Sequence, residues 1–292
     1  MIGVAVENKT IEKAPDRLRV LEKIKEYERQ GLFDRDVEDD PEGRTLMPDE
    51  INYLKRGPIH AIKRKIAFMS AYSFWNKAIK NKSIIMKDII GAENLGGIDG
   101  GAIITCNHFN AFDSFVMQHV YDVSKKKKRM YRIIREGNYT SFPGYFGFLM
   151  RNCNTLPLSS SPATMRKFVH AVSEVLKDGH SVLIYPEQSM WWNYRKPKPH
   201  KIGAYQIATK SGVPVVPCFI TLADSEIIGT DGFPVQEYTA HIGTPIYPDN
   251  SLPKRECAEK MMRESFEFSK SVYERVYGIP LVYETESEAK MA

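Results

Sequence analysis

A histidine and an aspartate stand five positions apart, directly after a predicted strand. His108 follows the apolar run that ends at Cys106, and Asp113 stands at the start of the next predicted helix. Five steps along a regular helix would turn the two side chains about 140° apart, so we expect His108 in the turn before the helix, with Asp113 reaching back to it. A carboxylate bonded to one ring nitrogen leaves the other nitrogen able to take a proton from a hydroxyl. The pair therefore predicts a general base that needs no serine nucleophile.

A second polar group follows another apolar strand. Taken alone, a histidine and an aspartate at this spacing are ambiguous, because such pairs also serve as helix caps or as hydrogen-bonded core residues. The run Tyr185, Pro186, Glu187, Gln188, Ser189 adds a carboxylate at the end of the run HSVLIYPE. A parallel sheet brings the carboxyl ends of its strands to one edge. We therefore expect both groups to build one polar site.

The elements that must position these residues alternate between strands and helices. After Gly91, strands are predicted in GGAIITC, RMYRIIRE, HSVLIYPE and VPVVPCFITL, and helices from Asp113 and near residues 164–177, 204–211 and 252–277. Nearly continuous runs of Ile, Val and Leu are typical of strands buried on both faces. This order predicts an α/β fold with a mostly parallel sheet flanked by helices.

The chain before residue 91 predicts an N-terminal helical extension in two parts. Residues 9–30 have helical spacing, residues 33–50 are an acidic linker rich in proline and glycine, and residues 58–80 predict an amphipathic helix. Residues 58–87 hold seven Lys or Arg and no Asp or Glu. A helix of this kind either caps a core or lies on a membrane, and both alternatives stay open.

Composition excludes several classes of protein. With 42% hydrophobic and 26% charged residues over 292 positions, we expect a globular domain rather than a disordered chain. The four cysteines stand far apart, which favours a reducing compartment over a disulfide scaffold or a zinc site. We find no apolar run of roughly 20 residues and no signal-peptide pattern, so we expect a cytosolic or peripheral protein. The basic runs suit anionic lipid better than nucleic acid, because no nucleic-acid-binding motif accompanies them.

The two polar groups belong to a set of four blocks in a fixed order. The blocks are residues 107–113, residues 134–139 with 142–158, residues 185–189, and the apolar run at 213–218. They resemble the four motifs of the glycerol-3-phosphate and 1-acylglycerol-3-phosphate acyltransferase family over roughly residues 91–247. The resemblance implies that His108 is the catalytic base and Asp113 its partner. Together with the patterns before residue 91, it predicts an N-terminal helix and acidic linker at 1–57, a basic amphipathic helical segment at 58–90 and an acyltransferase domain at 91–283.

Two departures from the family pattern concern phosphate binding. The arginine usual in the third block, Phe-Pro-Glu-Gly-Thr-Arg, is replaced by Met190, and Ser159 follows the Leu-Pro-Leu run where the family commonly has an arginine. Nearby cations could substitute, since a guanidinium binds phosphate through two hydrogen bonds. The residues expected to bind substrate are Asn107, Arg135, Glu136, Arg151, Glu187, Gln188, Ser189, Arg195 and Lys196.

The resemblance implies transfer of a fatty acyl group from acyl-CoA or acyl carrier protein to the hydroxyl of a lysophospholipid such as 1-acylglycerol-3-phosphate. We expect this reaction at the cytoplasmic face of a membrane, with no cofactor, no metal and no nucleic-acid partner. The loop at 191–199 joins aromatic residues to cations, which fits a membrane interface, acceptor binding or packing by its tryptophans. Two alternatives remain, an acyl thioester hydrolase and a non-catalytic lipid-binding homologue. A Gly-x-Ser-x-Gly nucleophile motif, typical of serine hydrolases, does not occur.

Overall fold

The structure, a computed structural model, describes residues 12–39 and 43–285. The helices are α1 (Pro15–Arg29), α2 (Pro58–Lys80), α3 (Ala92–Gly96), α4 (Asp113–Val123), α5 (Glu136–Thr140), α6 (Gly144–Asn152), α7 (Pro162–Lys177), α8 (Gly203–Ser211) and α9 (Lys254–Tyr277). The strands are β1 (Ile85–Ile90), β2 (Ala102–Thr105), β3 (Met130–Ile134), β4 (Thr155–Pro157), β5 (Ser181–Ile184), β6 (Val215–Ile228) and β7 (Pro234–Ile242).

These strands form one mixed sheet with the order β1-β7-β6-β2-β5-β3-β4. Strands β2, β3, β4, β5 and β6 run parallel, β7 pairs antiparallel with β6, and β1 pairs parallel with β7. The predicted α/β class, with a mostly parallel sheet flanked by helices, is confirmed. The antiparallel β6/β7 pair was not predicted.

Two hydrophobic cores cover the two faces of the sheet. Successive residues of the central strand β2 point to opposite faces, so Ile104 packs with α2 and α4 while Ile103 packs with α7, α8 and α9. All four residues of β2 are buried, which explains why its sequence is apolar throughout. Gly101 lets this strand start against the end of α7, because a Cβ there would lie 2.3 Å from the carbonyl oxygen of Leu176.

The carboxyl ends of three adjacent parallel strands lead directly to the predicted functional residues. Strand β2 leads to His108, its neighbour β5 leads to Tyr185, and β3, the next strand along the sheet, leads to Arg135. The sheet therefore gathers three sequence blocks at one edge, as expected for a parallel arrangement.

Most predicted elements match the structure, with differences in the N-terminal region. Helix α2 has the predicted span, and α1 covers the described part of the predicted 9–30 helix, of which residues 9–11 lie outside the described residues. Within the segment 58–90 that we predicted to be helical, residues 85–90 instead form strand β1. This edge strand is half exposed and contains Lys87 and Asp88, so its pattern lacked the continuous apolar character of a buried strand.

The acidic stretch after α1 is packed against the domain where the structure describes it. Val20, Ile24 and Val37 form a small core with Trp191, which is fully buried. Residues 33–39 therefore lie on the loop that follows β5, although their composition predicts a linker. The proposed boundaries at residues 57 and 90 remain predictions.

Candidate active site

His108 and Asp113 form the predicted pair at the end of β2. Asp113 is the first residue of α4, and its Oδ2 is hydrogen-bonded to Nδ1 of His108 in the turn before the helix. The side chain of Asp113 is 4% exposed and that of His108 is 24% exposed. A carboxylate in this position fixes the tautomer with the proton on Nδ1 and leaves Nε2 as a proton acceptor. The arrangement is that of a general base.

Tyr185 completes the surroundings of this pair. Its ring stacks on the His108 imidazole with 4.2 Å between centroids and 11° between planes. Its hydroxyl donates to Oδ1 of Asp113 at 2.9 Å and lies 3.2 Å from Oγ of Ser114. Burial, together with the charge of Asp113, raises the pKa of Tyr185 well above its ordinary value. The phenol therefore stays protonated and remains a donor to the carboxylate.

Glu187 holds the backbone around the pair. One of its carboxylate oxygens accepts from the backbone N–H of His108 at 3.2 Å, and the other accepts from the N–H of Lys198 at 2.9 Å. The Lys198 ammonium lies 3.9 Å from Glu187 and donates to the carbonyl and the hydroxyl of Ser189, both at 2.7 Å. Burial raises the pKa of Glu187 and lowers that of Lys198 to about 8, while their mutual attraction opposes both shifts. This buried ion pair ties the loop after β2 to the loop after β5.

Two asparagines fix the same turn. The Asn107 side chain donates to the carbonyl of Ile220 at 3.0 Å and accepts from its N–H at 2.8 Å, which joins the end of β2 to β6. Asn110 accepts from the N–H of Phe112 at 2.9 Å and donates to the Tyr238 hydroxyl at 2.8 Å. Both amides serve the backbone geometry that presents His108.

The pair opens into a cavity of about 1190 Å³. His108, Asp113 and Tyr185 lie in its wall together with side chains of α2, α4, α6 and α7. This volume exceeds the roughly 300–1,000 Å³ of pockets that bind drug-sized ligands. The cavity therefore has room for a long ligand that reaches the imidazole.

Two of the predicted substrate-binding side chains, Arg135 and Gln188, line this cavity. Gln188 has a φ of 67°, the left-handed conformation that glycine adopts most easily, at the position where the family motif has glycine. Arg135 forms an ion pair with Asp36. Both are at the sheet edge beside the His108–Asp113 pair.

The other predicted binding residues support loops. Asn107, Glu187 and Ser189 make the contacts described above, and Ser189 also donates to the carbonyl of Phe33 at 2.7 Å. Glu136 accepts from the N–H of Leu46 at 3.0 Å and from that of Ser160 at 3.1 Å.

Three predicted cations are bonded to other parts of the chain, and their contact with substrate stays a prediction. Arg195 pairs with Asp224 at 2.8 Å, Lys196 pairs with Glu28 at 2.6 Å, and Arg151 donates to the carbonyl of Tyr139 at 3.1 Å. None of the three is among the described residues that line the cavity. These residues are close to the motifs in sequence, but their side chains do not line the cavity that contains His108.

For the loop at 191–199, the structure supports the packing alternative. Trp191 is fully buried, donates from Nε1 to the carbonyl of Arg35 at 2.8 Å, and lies 4.7 Å from the Lys198 ammonium. Lys198 is only 1% exposed. These two residues are consequently not available to a membrane surface.

Sequence reasoning did not assign a role to Tyr185, Lys201, Asp34 or Asp36. Tyr185 stands where the family motif usually has phenylalanine, and this additional hydroxyl was the one feature of the sequence that could have indicated its role. Lys201 and the two aspartates line the cavity. The aspartates are separated from the motifs by about 70 residues or more, and no local pattern connects them.

Two searches of the described residues bear on metals and membranes. Within residues 12–39 and 43–285, no group of three or more His, Cys, Asp or Glu side chains could hold a metal ion. Among the helices in these ranges, none is sufficiently long and apolar to cross a membrane.

The sequence model of the acyltransferase family matches residues 84–221, the span from the residue before β1 to the middle of β6. A chloroplastic 1-acyl-sn-glycerol-3-phosphate acyltransferase of Brassica napus is 28% identical over 159 residues, which are 54% of this chain and 41% of that protein. The match thus spans less than half of the length of this relative. The 1-acyl-sn-glycerophosphate (LPA) acyltransferase PlsC of Thermotoga maritima has a TM-score of 0.44 and 19% identity over 74% of this chain and 85% of its own.

Proposed function

We propose that this chain, in which residues 84–221 match the sequence model of the acyltransferase family, transfers a fatty acyl group from a thioester to the hydroxyl of a lysophospholipid, such as 1-acylglycerol-3-phosphate. The observation that carries the proposal is the His108–Asp113 pair in the wall of the large cavity. Acyl transfer to a hydroxyl needs a base at the point where both substrates meet.

His108 acts first as the base. Its Nε2 takes the proton of the acceptor hydroxyl while that oxygen attacks the thioester carbonyl. Asp113, bonded to Nδ1, stabilises the imidazolium that results. When the tetrahedral intermediate collapses, the carbon–sulfur bond breaks and the imidazolium returns its proton to the leaving thiolate. The histidine is then neutral again and no covalent acyl-enzyme is formed.

The acyl chain lies in the apolar part of the cavity. Aromatic and aliphatic side chains from four helices and from the loop before α6 form its wall, among them Phe68, Phe115, Phe142, Phe146, Leu149 and Val172. Apolar surface of this kind gains free energy when it is covered by a hydrocarbon chain. The thioester end of the chain then reaches His108 at the sheet edge.

Arg135 and Gln188 contact the polar part of the acceptor. Both line the cavity near the base, and Lys201 contributes a second cation there. A guanidinium and an ammonium suit a phosphate headgroup. They take the place of the arginines that the family motifs have at the positions of Met190 and Ser159.

Acyl transfer takes place at the cytoplasmic face of a membrane, to which helix α2 binds peripherally. Ile59, Ile62, Ile66 and Met69 are all more than half exposed along this helix, and no carboxylate occurs among its residues. Apolar residues beside Lys and Arg suit a surface of anionic lipids. The donor is acyl-CoA or an acyl carrier protein thioester, and the reaction uses no cofactor.

The proposal is tested by incubating purified protein with acyl-CoA or acyl carrier protein thioesters and a panel of lysophospholipid and uncharged acceptors. Products are identified by mass spectrometry. Acylated lysophospholipid is the expected product. Free fatty acid as the main product would identify a thioester hydrolase, and binding of lipid without turnover would identify a non-catalytic homologue.

A further inference from the structure

The segment at residues 33–39 contributes to the wall of the cavity and is held in place by contacts with the loop after β5. The carbonyl of Phe33 accepts from the Ser189 hydroxyl at 2.7 Å, and the carbonyl of Arg35 accepts from the Trp191 indole at 2.8 Å. Val37 is 2% exposed in the core around Trp191. Phe33, Arg35 and Val37 are thus anchored to the loop that carries Glu187.

The alternate residues of this segment place carboxylates in the cavity wall. Asp34, Asp36 and Glu38 all line the cavity. Asp34 accepts from the Lys201 ammonium at 2.9 Å, and Asp36 pairs with the Arg135 guanidinium. The bond from Lys201 lowers the pKa of the Asp34 carboxyl, so this group is ionised at neutral pH.

Both paired cations lie close to strands that lead to the site. Arg135 follows β3, and the backbone N–H of Lys201 donates to the carbonyl of Pro186, which follows β5. A headgroup phosphate that binds these cations must either share them with the two carboxylates or displace the carboxylates. A phosphomonoester carries between one and two negative charges near neutral pH, so two adjacent carboxylates repel it.

We infer that Asp34 and Asp36 are specificity-determining residues, which weaken the binding of acceptors with a terminal phosphate relative to acceptors with an uncharged headgroup. The inference rests on the proposed acyl transfer and adds a rule for acceptor choice. The two ion pairs are exposed, with carboxylate side chains 43% and 44% accessible, so solvent screens them and the phosphate can compete. The two carboxylates therefore weaken the binding of phosphate acceptors without excluding it.

The test compares wild-type protein with the double variant Asp34→Asn/Asp36→Asn, using one acyl donor and two acceptors that share an acyl chain, 1-acylglycerol-3-phosphate and 1-acylglycerol. The double variant should lower KM for the phosphate acceptor about three- to tenfold relative to KM for the uncharged one, the size expected of two exposed pairs. Added salt should reduce the difference in this KM ratio between the variant and wild type.

Asp249→Asn is the matched control, because it removes an exposed carboxylate that pairs with Lys260 at 3.2 Å outside the cavity wall. This control should leave the ratio of the two KM values unchanged. An unchanged ratio in the double variant would overturn the inference, as would an equal fall of both KM values, which would indicate a role in access alone.

Equilibrium dialysis with the same two lipids below their aggregation concentrations separates this inference from the proposed function. If neither acceptor is turned over, the proposed function fails. The inference still stands if the double variant gains affinity for 1-acylglycerol-3-phosphate and not for 1-acylglycerol, and it falls if both affinities change equally.

Discussion

The Tyr185 ring lies parallel to the His108 imidazole at 4.2 Å, and the hydroxyl of the same residue donates to the carboxylate that holds this imidazole. One side chain thus restrains both members of the His108–Asp113 pair. The imidazole plane is fixed by stacking, and the Asp113 carboxylate is fixed by a second hydrogen bond. Pre-organisation of this kind lowers the reorganisation required during proton transfer.

We expect Tyr185→Phe to lower kcat about three- to tenfold with little change in KM. The ring and its stacking remain, whereas the donor to Asp113 is lost, and hydrogen bonds to charged groups contribute about 1.5–3 kcal/mol, of which a part acts in the transition state. Steady-state kinetics with circular dichroism tests this. Tyr53→Phe is the matched control, since its hydroxyl donates to the Pro157 carbonyl away from the base. Equal kcat values for both variants and wild type would show that the Tyr185 hydroxyl has no part in turnover.

The ion pair between Glu187 and Lys198 should stabilise the fold only while it is complete. Lys198→Met leaves a carboxylate that is 2% exposed without its cation, and we expect the free energy of unfolding to fall by about 3 kcal/mol. Adding Glu187→Gln should recover part of the loss. Urea unfolding of wild type, both single variants and the double variant measures the coupling energy between Glu187 and Lys198. Strictly additive changes in the free energy of unfolding would contradict the prediction.

Acid should destabilise the protein through His200. Burial lowers the pKa of this histidine to about 3 from its ordinary 6.5, and its Nδ1 lies 2.7 Å from the Tyr205 hydroxyl. Between these pH values the unfolded chain binds a proton that the folded chain excludes, so stability present above pH 6.5 is lost as the pH falls. The loss from His200 should reach roughly 2–3 kcal/mol at pH 4.5.

The variant His200→Asn checks this, because asparagine can still bond to the Tyr205 hydroxyl and does not titrate. The variant should lose less free energy of unfolding than wild type between pH 7 and pH 4.5. His241, whose pKa burial lowers to about 4, is present in both proteins and cancels in the comparison. Equal pH dependence in the two proteins would exclude His200 as the cause.

Membrane binding should depend on the exposed isoleucines of α2. Ile62 and Ile66 are 60% and 53% exposed, so Ile62→Glu/Ile66→Glu should leave the fold intact. Burial of each isoleucine in lipid is worth about 1.5–3 kcal/mol, and the double variant should bind anionic vesicles at least about tenfold more weakly in a sedimentation assay. Ile228→Glu, at a 48% exposed position on β6, is the control. Undiminished binding of the α2 variant would assign vesicle binding to another surface.

The sequence predicted those features that depend on local pattern. Apolar runs located β2, β3, β5 and β6, helical spacing located α2, and the turn geometry between His108 and Asp113 agreed with the structure. Strands β1, β4 and β7 were missed. Strands β1 and β7 mix polar with apolar residues, and β4 has only three residues.

Contacts between distant segments could not be predicted. The ion pairs of Asp34 with Lys201 and of Lys196 with Glu28 join residues more than 160 positions apart. A cation in a motif gives no indication of whether it points to substrate or to a carboxylate from another segment. For this reason Arg195 and Lys196 were assigned to substrate, and the carboxylates beside Arg135 and Lys201 were overlooked.

The most direct test of the account is the turnover of His108→Ala beside that of His119→Ala, with acyl-CoA and 1-acylglycerol-3-phosphate as substrates. Both histidines line the cavity, but His119 lies beside Trp75, with 5.2 Å between ring centroids, and no carboxylate of the described residues is bonded to it. We predict that His108→Ala loses about 10²- to 10⁴-fold in kcat, the usual contribution of a general base, while His119→Ala stays within about tenfold of wild type. A folded His108→Ala protein that turns over at the wild-type rate would contradict the assignment of the base.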